Sequence, residues 1–357
     1  MENKRCSFFL AANSKDGFVS FFDEAAKEDF SRDTYFIKSG PGCGKATAIR
    51  TIADGIYKGG IREDIYCSSD PVSLDGVIME SPKAALLDGT APHVTEPGFP
   101  GARGDYITLS FFRDIPGIRE KYPALLLLSS QSKTYYSKAY RLIASSALVD
   151  EHMTATMSPY ISNEKLIKRA LGIAGREIPK KGGAGKQKKR FIDGITPFGV
   201  MRLYDTVTAL ADRVYDFYDG YGLADTMLKT LSEYALKNGY DVYTCHCPKN
   251  PQKLLHVIIP ELSLAFVTSN RQSYFTGRPY RRIRIDSYLS DPSLRNLRGK
   301  AKLLSKVSQS LMDEAVDEIS KAHTLHDKME ELYHPHIDFE ATNTYTAGVI
   351  KHLSEVL

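Results

Sequence analysis

At 357 residues the chain has the length of about two domains, long enough to bury a sizeable core without disulfide or metal staples. A hydrophobic fraction of 42% and a charged fraction of 25% are those of a globular protein and exclude a disordered or fibrous chain. The formal net charge of +4 is too small to demand a polyanionic partner, so neither nucleic acid nor a membrane surface is expected.

The start carries a short apolar stretch without a signal-peptide pattern. Residues 34–37 (TYFI) are short, apolar and partly β-branched, as a buried parallel strand should be. A glycine-containing turn follows, then a helix over 45–58, with Ala46, Ile49, Ile52, Ala53 and Ile56 near a 3.6-residue period. Residues 65–68, 76–79 and 84–87 read as three further strands, and strands mixed with a helix predict a parallel sheet of the α/β class. The longest aliphatic run, 124–128, is too short for a bilayer. Helices are expected over 132–147 and 164–175. Residues 180–190, KKGGAGKQKKR, hold six basic residues, three glycines and no acid, which predicts an exposed flexible linker.

The chain then repeats itself at a spacing of 180 residues: Cys67 falls on Cys247, Pro71 on Pro251, Val77 on Val257, and Gly40 and Gly42 on Gly220 and Gly222. A long amphipathic helix, or two, closes the second copy over 291–332. The expected organisation is α/β, two tandem P-loop NTPase-like parallel-sheet domains with helical appendages. Residues 1–179 form the first, 180–190 the linker and 191–357 a degenerate second copy. The five cysteines show no disulfide framework, and a reducing cytoplasm is the expected setting.

Chemistry concentrates at Ser39-Gly40-Pro41-Gly42-Cys43-Gly44-Lys45-Ala46-Thr47. Glycines let successive backbone N–H groups converge on one anion, and the following helix N-terminus adds partial positive charge. Lys45 is placed to reach the β- and γ-phosphates of a nucleoside triphosphate. The pattern G-x-x-x-x-G-K-[ST] asks for glycine at 39 and a hydroxyl at 46, where this chain has Ser39 and Ala46. The missing hydroxyl weakens Mg2+ binding, and Thr47, turned by about 100° along the helix, is a poor replacement. Asp88, closing an apolar strand, is the candidate to hold Mg2+ through water, although an acid there also opens turns such as Asp88-Gly89. Lys45 and Asp88 are therefore the expected catalytic pair. Asp70 and His93 are expected at the same sheet edge, able to orient a water or acceptor, or simply to cap loops.

In the second copy Asp219 stands for Ser39, Asp225 for Lys45 and Thr268 for Asp88. Two carboxylates would repel a triphosphate, so the fold is expected to persist without the site. The arginine-rich stretch 277–284 reads as surface ion pairs on a strand more than as an arginine offered across an interface. His246 between two cysteines, and His323, His326, His334 and His336, lack recognised zinc spacing.

These motifs resemble those of bacterial tandem P-loop proteins described as predicted ATPases, over nearly the whole chain. The family pattern G-G-P-G-T-G-K-S-T is similar to residues 39–47. The phrases CSSDP-SLDG and LDGTAPH stand at 67–76 and 87–93, and HCP and IPEL-A-VTSN at 246–248 and 259–270. The resemblance implies ATP binding by P-loop domains; in that family the second copy often keeps its own loop, which this chain has lost. The reading from residues and resemblance together is an ATP-binding, weakly or conditionally hydrolytic protein using Mg2+. A kinase with its acceptor near Asp70 and His93, and a non-hydrolysing switch, stand as alternatives.

Overall fold

The computed structural model describes residues 3–289 and 294–357. The first half opens with β1 (Lys4–Phe8), the hairpin β2 (Ala11–Ser14) and β3 (Gly17–Ser20), and α1 (Phe22–Lys27). Then come β4 (Asp33–Lys38), α2 (Lys45–Ile56), β5 (Gly59–Tyr66), β6 (Leu74–Ser81), β7 (Ala84–Asp88) and β8 (Tyr106–Thr108). It ends with the helices α3 (Ile115–Glu120), α4 (Tyr122–Met157) and α5 (Asn163–Glu177).

The second half repeats the series: β9 (Gln187–Arg190), β10 (Asp193–Thr196), β11 (Gly199–Arg202) and α6 (Asp205–Leu210). Next are β12 (Arg213–Tyr218), α7 (Asp225–Lys237), β13 (Val242–His246), β14 (Leu254–Ile259), β15 (Leu264–Ser269) and β16 (Arg281–Arg284). The closing helices are α8 (Leu294–Tyr333) and α9 (Phe339–Val356); the predicted helix start at Asp291 lies outside the described residues. No helix among the described residues is long and apolar enough to cross a membrane.

Each half builds one six-stranded sheet among the described residues, in the orders β1-β5-β6-β7-β4-β8 and β9-β13-β14-β15-β12-β16. Position for position these are the same sheet. Both are mixed, which corrects the expected parallel sheets: β6 runs antiparallel to β5 and β7, and β14 to β13 and β15. The cause is connection length. Between β6 and β7 lie only Pro82 and Lys83, and two residues allow a hairpin but not a crossover to a parallel neighbour. The strands that frame the glycine loop remain parallel, with β4 between β7 and β8.

The halves meet about an approximate two-fold axis. Phe9 and Phe191, equivalent residues, exchange both backbone hydrogen bonds at 2.9 Å, the reciprocal contact expected of an isologous interface. Beside them the wholly buried Arg190 of β9 donates to Glu63 Oε2 at 2.7 Å and to Glu28 Oε1 and Oε2 at 2.9 and 3.1 Å. Tyr243 Oη donates to the other Glu63 oxygen. Burial alone would push the Glu28 carboxyl up, but Arg190 and Arg32 hold it below the usual range. The expected linker therefore ends as structure. Residues 187–190 form an edge strand on β13, and Gly185 N–H is bonded to Leu236 O.

The helical appendages are exchanged between the halves. In the first half's chain, α5 places Leu166, Ala170 and Ile173 in one core with Met227, Leu228 and Leu231 of α7. Reciprocally α9 lays Leu353 with Val349 and Ile350 against Ile49, Ile52 and Ile56 of α2. The long helices α4 and α8 pack together, with Ala139, Ile143, Met312, Ala315 and Ile319 in a shared core. Removing one partner of a buried ion cluster leaves the others charged and unpaired. Arg190→Ala is accordingly expected to lower unfolding free energy by about 3–5 kcal/mol. Urea denaturation would measure it, and a loss under about 1 kcal/mol, the worth of an exposed pair, would contradict this role.

Candidate functional site at the carboxyl edge of the first sheet

The segment 39–44 leaves β4 and turns into α2. Gly42 and Gly44 have φ of 62° and 76°, left-handed values that side chains resist, so glycine is required at both. Gly44 is the N-cap of α2 and no side chain caps that helix, which leaves its first N–H groups for another acceptor. Ser39 Oγ is buried without a partner at the start of the loop. Lys45 Nζ donates to Gly40 O at 3.1 Å and lies 3.8 Å from Asp88 Oδ2. Cys43 is buried, its Sγ against Pro41 O, while Ala46 is half-buried and Thr47 exposed.

Asp88 ends β7 and is nearly buried. Its Oδ1 accepts from Thr90 N–H at 2.7 Å and Thr90 Oγ1 at 2.6 Å, so the turn role and the site role coincide in one side chain. The pairing of Gly76 with Leu87 puts Asp75 of β6 on the next rung, level with Asp88. Asp75 was not singled out from sequence, although a charged residue inside the apolar run Leu74–Met79 was a visible signal. His93 Nε2 lies 3.2 Å from Asp75 Oδ2, its ring packs on Phe22 at 4.2 Å, and its Nδ1 is buried without a partner. Burial pushes the Asp88 carboxyl above the ordinary aspartate value; Lys45 and the Thr90 bonds pull it back, and Asp75 pushes it up again. Asp70 follows the carboxyl end of β5, where Ser73 Oγ donates to its carboxylate within a turn.

The loop is roofed by the other half. Glu330 of α8 accepts the Gly42 N–H at 3.0 Å. A Cβ placed on Gly42 would lie 3.1 Å from His334, and one on Gly40 3.4 Å from Arg113 Nη1 and Tyr333. None of Glu330, Tyr333 and Arg113 was foreseen, and His334 was weighed only as a metal ligand. The first two belong to a helix assigned from sequence to the opposite half, with nothing local to tie them to the loop.

The equivalent loop of the second half is filled by its own side chain. Asp219 Oδ1 accepts from Tyr221 N–H at 3.1 Å and Oδ2 from Ala224 N–H at 2.7 Å. Asp225 is engaged with Lys229 and Leu254 N–H. The rung that carries Asp75 and Asp88 in the first half carries Leu255 and Thr268 here. Arg282 of the arginine-rich stretch bonds the buried Asp216 on the neighbouring strand, an ion pair within its own sheet. His246 is held by Pro251 O, away from any cluster of metal-ligating groups among the described residues.

Compared with models of protein families, with curated proteins and with solved structures, the chain matches none.

Because the folded state raises the Asp88 pKa, protonated Asp88 favours folding below the unfolded value, and this contribution is lost as pH rises through the folded one. Asp88→Asn, which cannot ionise, should therefore raise the melting temperature at neutral pH. The gain should shrink as pH is lowered into the ordinary aspartate range. Scanning calorimetry across that range checks it, and a gain that grows on acidification would contradict the sign.

Proposed function

We propose that the chain binds a nucleoside triphosphate, ATP foremost, at the loop between β4 and α2, and turns it over slowly under constraint from the opposite half. With this goes the finer reading of the fold as two P-loop NTPase-like domains, the second degenerate. The observation that carries the proposal is an anionic oxygen, Glu330 Oε1, on the Gly42 amide at the start of an uncapped helix that begins with Lys45. A phosphate oxygen has the same charge, and a triphosphate can engage more of these donors at once. The unpartnered Ser39 hydroxyl adds one more group in want of a ligand.

In this reading Lys45 exchanges Gly40 O for the β- and γ-phosphates, and the loop amides fix the phosphate chain in place. Asp88 and Asp75 are the residues that would hold Mg2+, which keeps several waters and asks for one or two carboxylates. Bound there, the ion supplies neutralisation of charge on the phosphates. Ala46 leaves it one donor short. His93 is steadied by Asp75 and keeps its buried Nδ1 without a partner. The hold of Glu330 on the loop favours the switch among the alternatives, since an entering nucleotide must displace a carboxylate anchored in the other half. Nothing comparable favours a kinase, with Asp70 tied into its own turn.

Calorimetric titration with ATP, with and without Mg2+, tests the proposal. Binding should disappear in Lys45→Ala, and affinity equal to the parent's would remove the site. Glu330→Ala should bind about tenfold more tightly, the worth of one charge-assisted hydrogen bond no longer in competition. Unchanged affinity there would refute the competition alone. Ala46→Ser should strengthen the Mg2+ dependence.

A further inference from the structure

The second half, where the phosphate chemistry is lost, encloses a cavity of about 260 Å³ beside its filled loop. Its walls come from α4, α8, the β10–β11 hairpin and the loop itself, with Met153, Ile195 and Met312 among the apolar lining. Most charges around it are already matched. Lys249 donates to Asp150, Lys15 to Glu151 and Lys229 to Asp225, and Asp219 holds its own loop amides.

Two groups remain. Asp193, at the start of β10, is 5% exposed and lines the cavity, yet its Oδ1 has no hydrogen-bond partner. Arg202 Nε forms an ion pair with it at 3.7 Å, beyond hydrogen-bond distance. The other oxygen, Oδ2, faces His256 Nε2 at 3.4 Å. His256 Nδ1 accepts the Thr268 N–H, which fixes the tautomer so that Nε2 carries the proton toward Asp193. The carboxylate is thus held from behind with one oxygen left over. The second group is Lys253, which lines the same cavity beside Gly222 and, among the described residues, has no ion-pair or hydrogen-bond partner.

This polar set belongs to the second half alone. Following the repeat, the positions of Asp193, His256, Arg202 and Lys253 are occupied in the first half by Ala11, Gly76, Ser20 and Ser73. An unsatisfied buried carboxylate oxygen is costly unless a donor arrives. A carboxylate oxygen without a hydrogen bond and one spare cation over an apolar wall complement a small molecule carrying an amine and an acid. We infer that this cavity is a binding site for a small zwitterion of the α-amino acid type, with its ammonium toward the Asp193 carboxylate and its carboxylate on Lys253. The carboxylates of Asp150, Glu151, Asp219 and Asp225 around it disfavour a polyphosphate.

The test is a thermal-shift screen of the full chain against each common L-amino acid at millimolar concentration, followed by calorimetry on those that stabilise it. At least one should raise the melting temperature, and its des-amino analogue should not. Asp193→Asn should weaken binding by about tenfold or more, as loss of a charge-assisted bond predicts, and Lys253→Met should weaken it independently. Lys45→Ala should bind it like the parent, which separates this site from the nucleotide loop. The inference is overturned if no amino acid stabilises the chain, if the des-amino analogue binds equally, or if both variants bind like the parent. Should Asp193→Asn fail to fold, Lys253→Met decides, because among the described residues that side chain makes no hydrogen bond or ion pair.

Discussion

Everything in this molecule is aligned by the contact of its two halves at Arg190. A guanidinium with no exposure to water must find its counter-charges in a fixed place, and here Glu63 and Glu28 provide them. Tyr243 then satisfies the remaining Glu63 oxygen, and Arg32 adds a second donor to Glu28 Oε1. Apolar contact between two sheets would tolerate sliding; a desolvated ion cluster does not, because a small displacement leaves charge unpaired. The Phe9–Phe191 backbone pair fixes the register beside it. The cluster thus contributes alignment more than net stability.

That alignment decides what covers each loop. With the halves fixed about one axis, α5 reaches the second sheet and α9 the first, and the long α4 and α8 cross over the opposite carboxyl edges. Thr154 of α4 donates to Tyr221 O in the second loop, at the position where Glu330 of α8 meets the first. One architecture therefore brings a neutral hydroxyl of α4 to one loop and a carboxylate of α8 to the other, while the second loop takes its carboxylates, Asp219 and Asp286, from its own half. The first half's site is incomplete without the second half's chain, which is why neither half taken alone describes it.

The elements were legible in sequence where local rules decide them. The strand before the loop, the loop and α2 follow from apolar residues, left-handed glycines and helical period, and the repeat revealed the duplication. The β6–β7 hairpin was legible too: the four residues between the expected strands 76–79 and 84–87 are too few for a crossover, and the expectation of a purely parallel sheet overlooked that constraint. Residues 187–190 read as linker because their composition is basic, yet edge strands commonly carry lysine. What no local rule could supply was the exchange of helices, set by packing between segments far apart in the chain, as with Ser146 and Ser308, 162 residues apart. Glu330, Tyr333 and His334 were hidden for that reason. Asp75 was not, since a carboxylate within an apolar strand has to be matched by something.

The two loops differ in how their amides are occupied, and on the proposed function this difference is what separates a spent site from a usable one. Asp219 sits on the loop it fills, two and five residues from its donors. It loses almost no further freedom in binding them, so no free anion competes well. Glu330 comes from 288 residues away, makes one bond to the loop, and leaves α2 uncapped. A ligand bringing several anionic oxygens gains more than this one contact loses. Displacing it also withdraws a carboxylate belonging to α8, the helix whose Ser308 and Met312 line the second half's cavity. On these two proposals the loop of one half and the cavity of the other share one continuous helix, so a ligand that shifts α8 at either place is felt at the other.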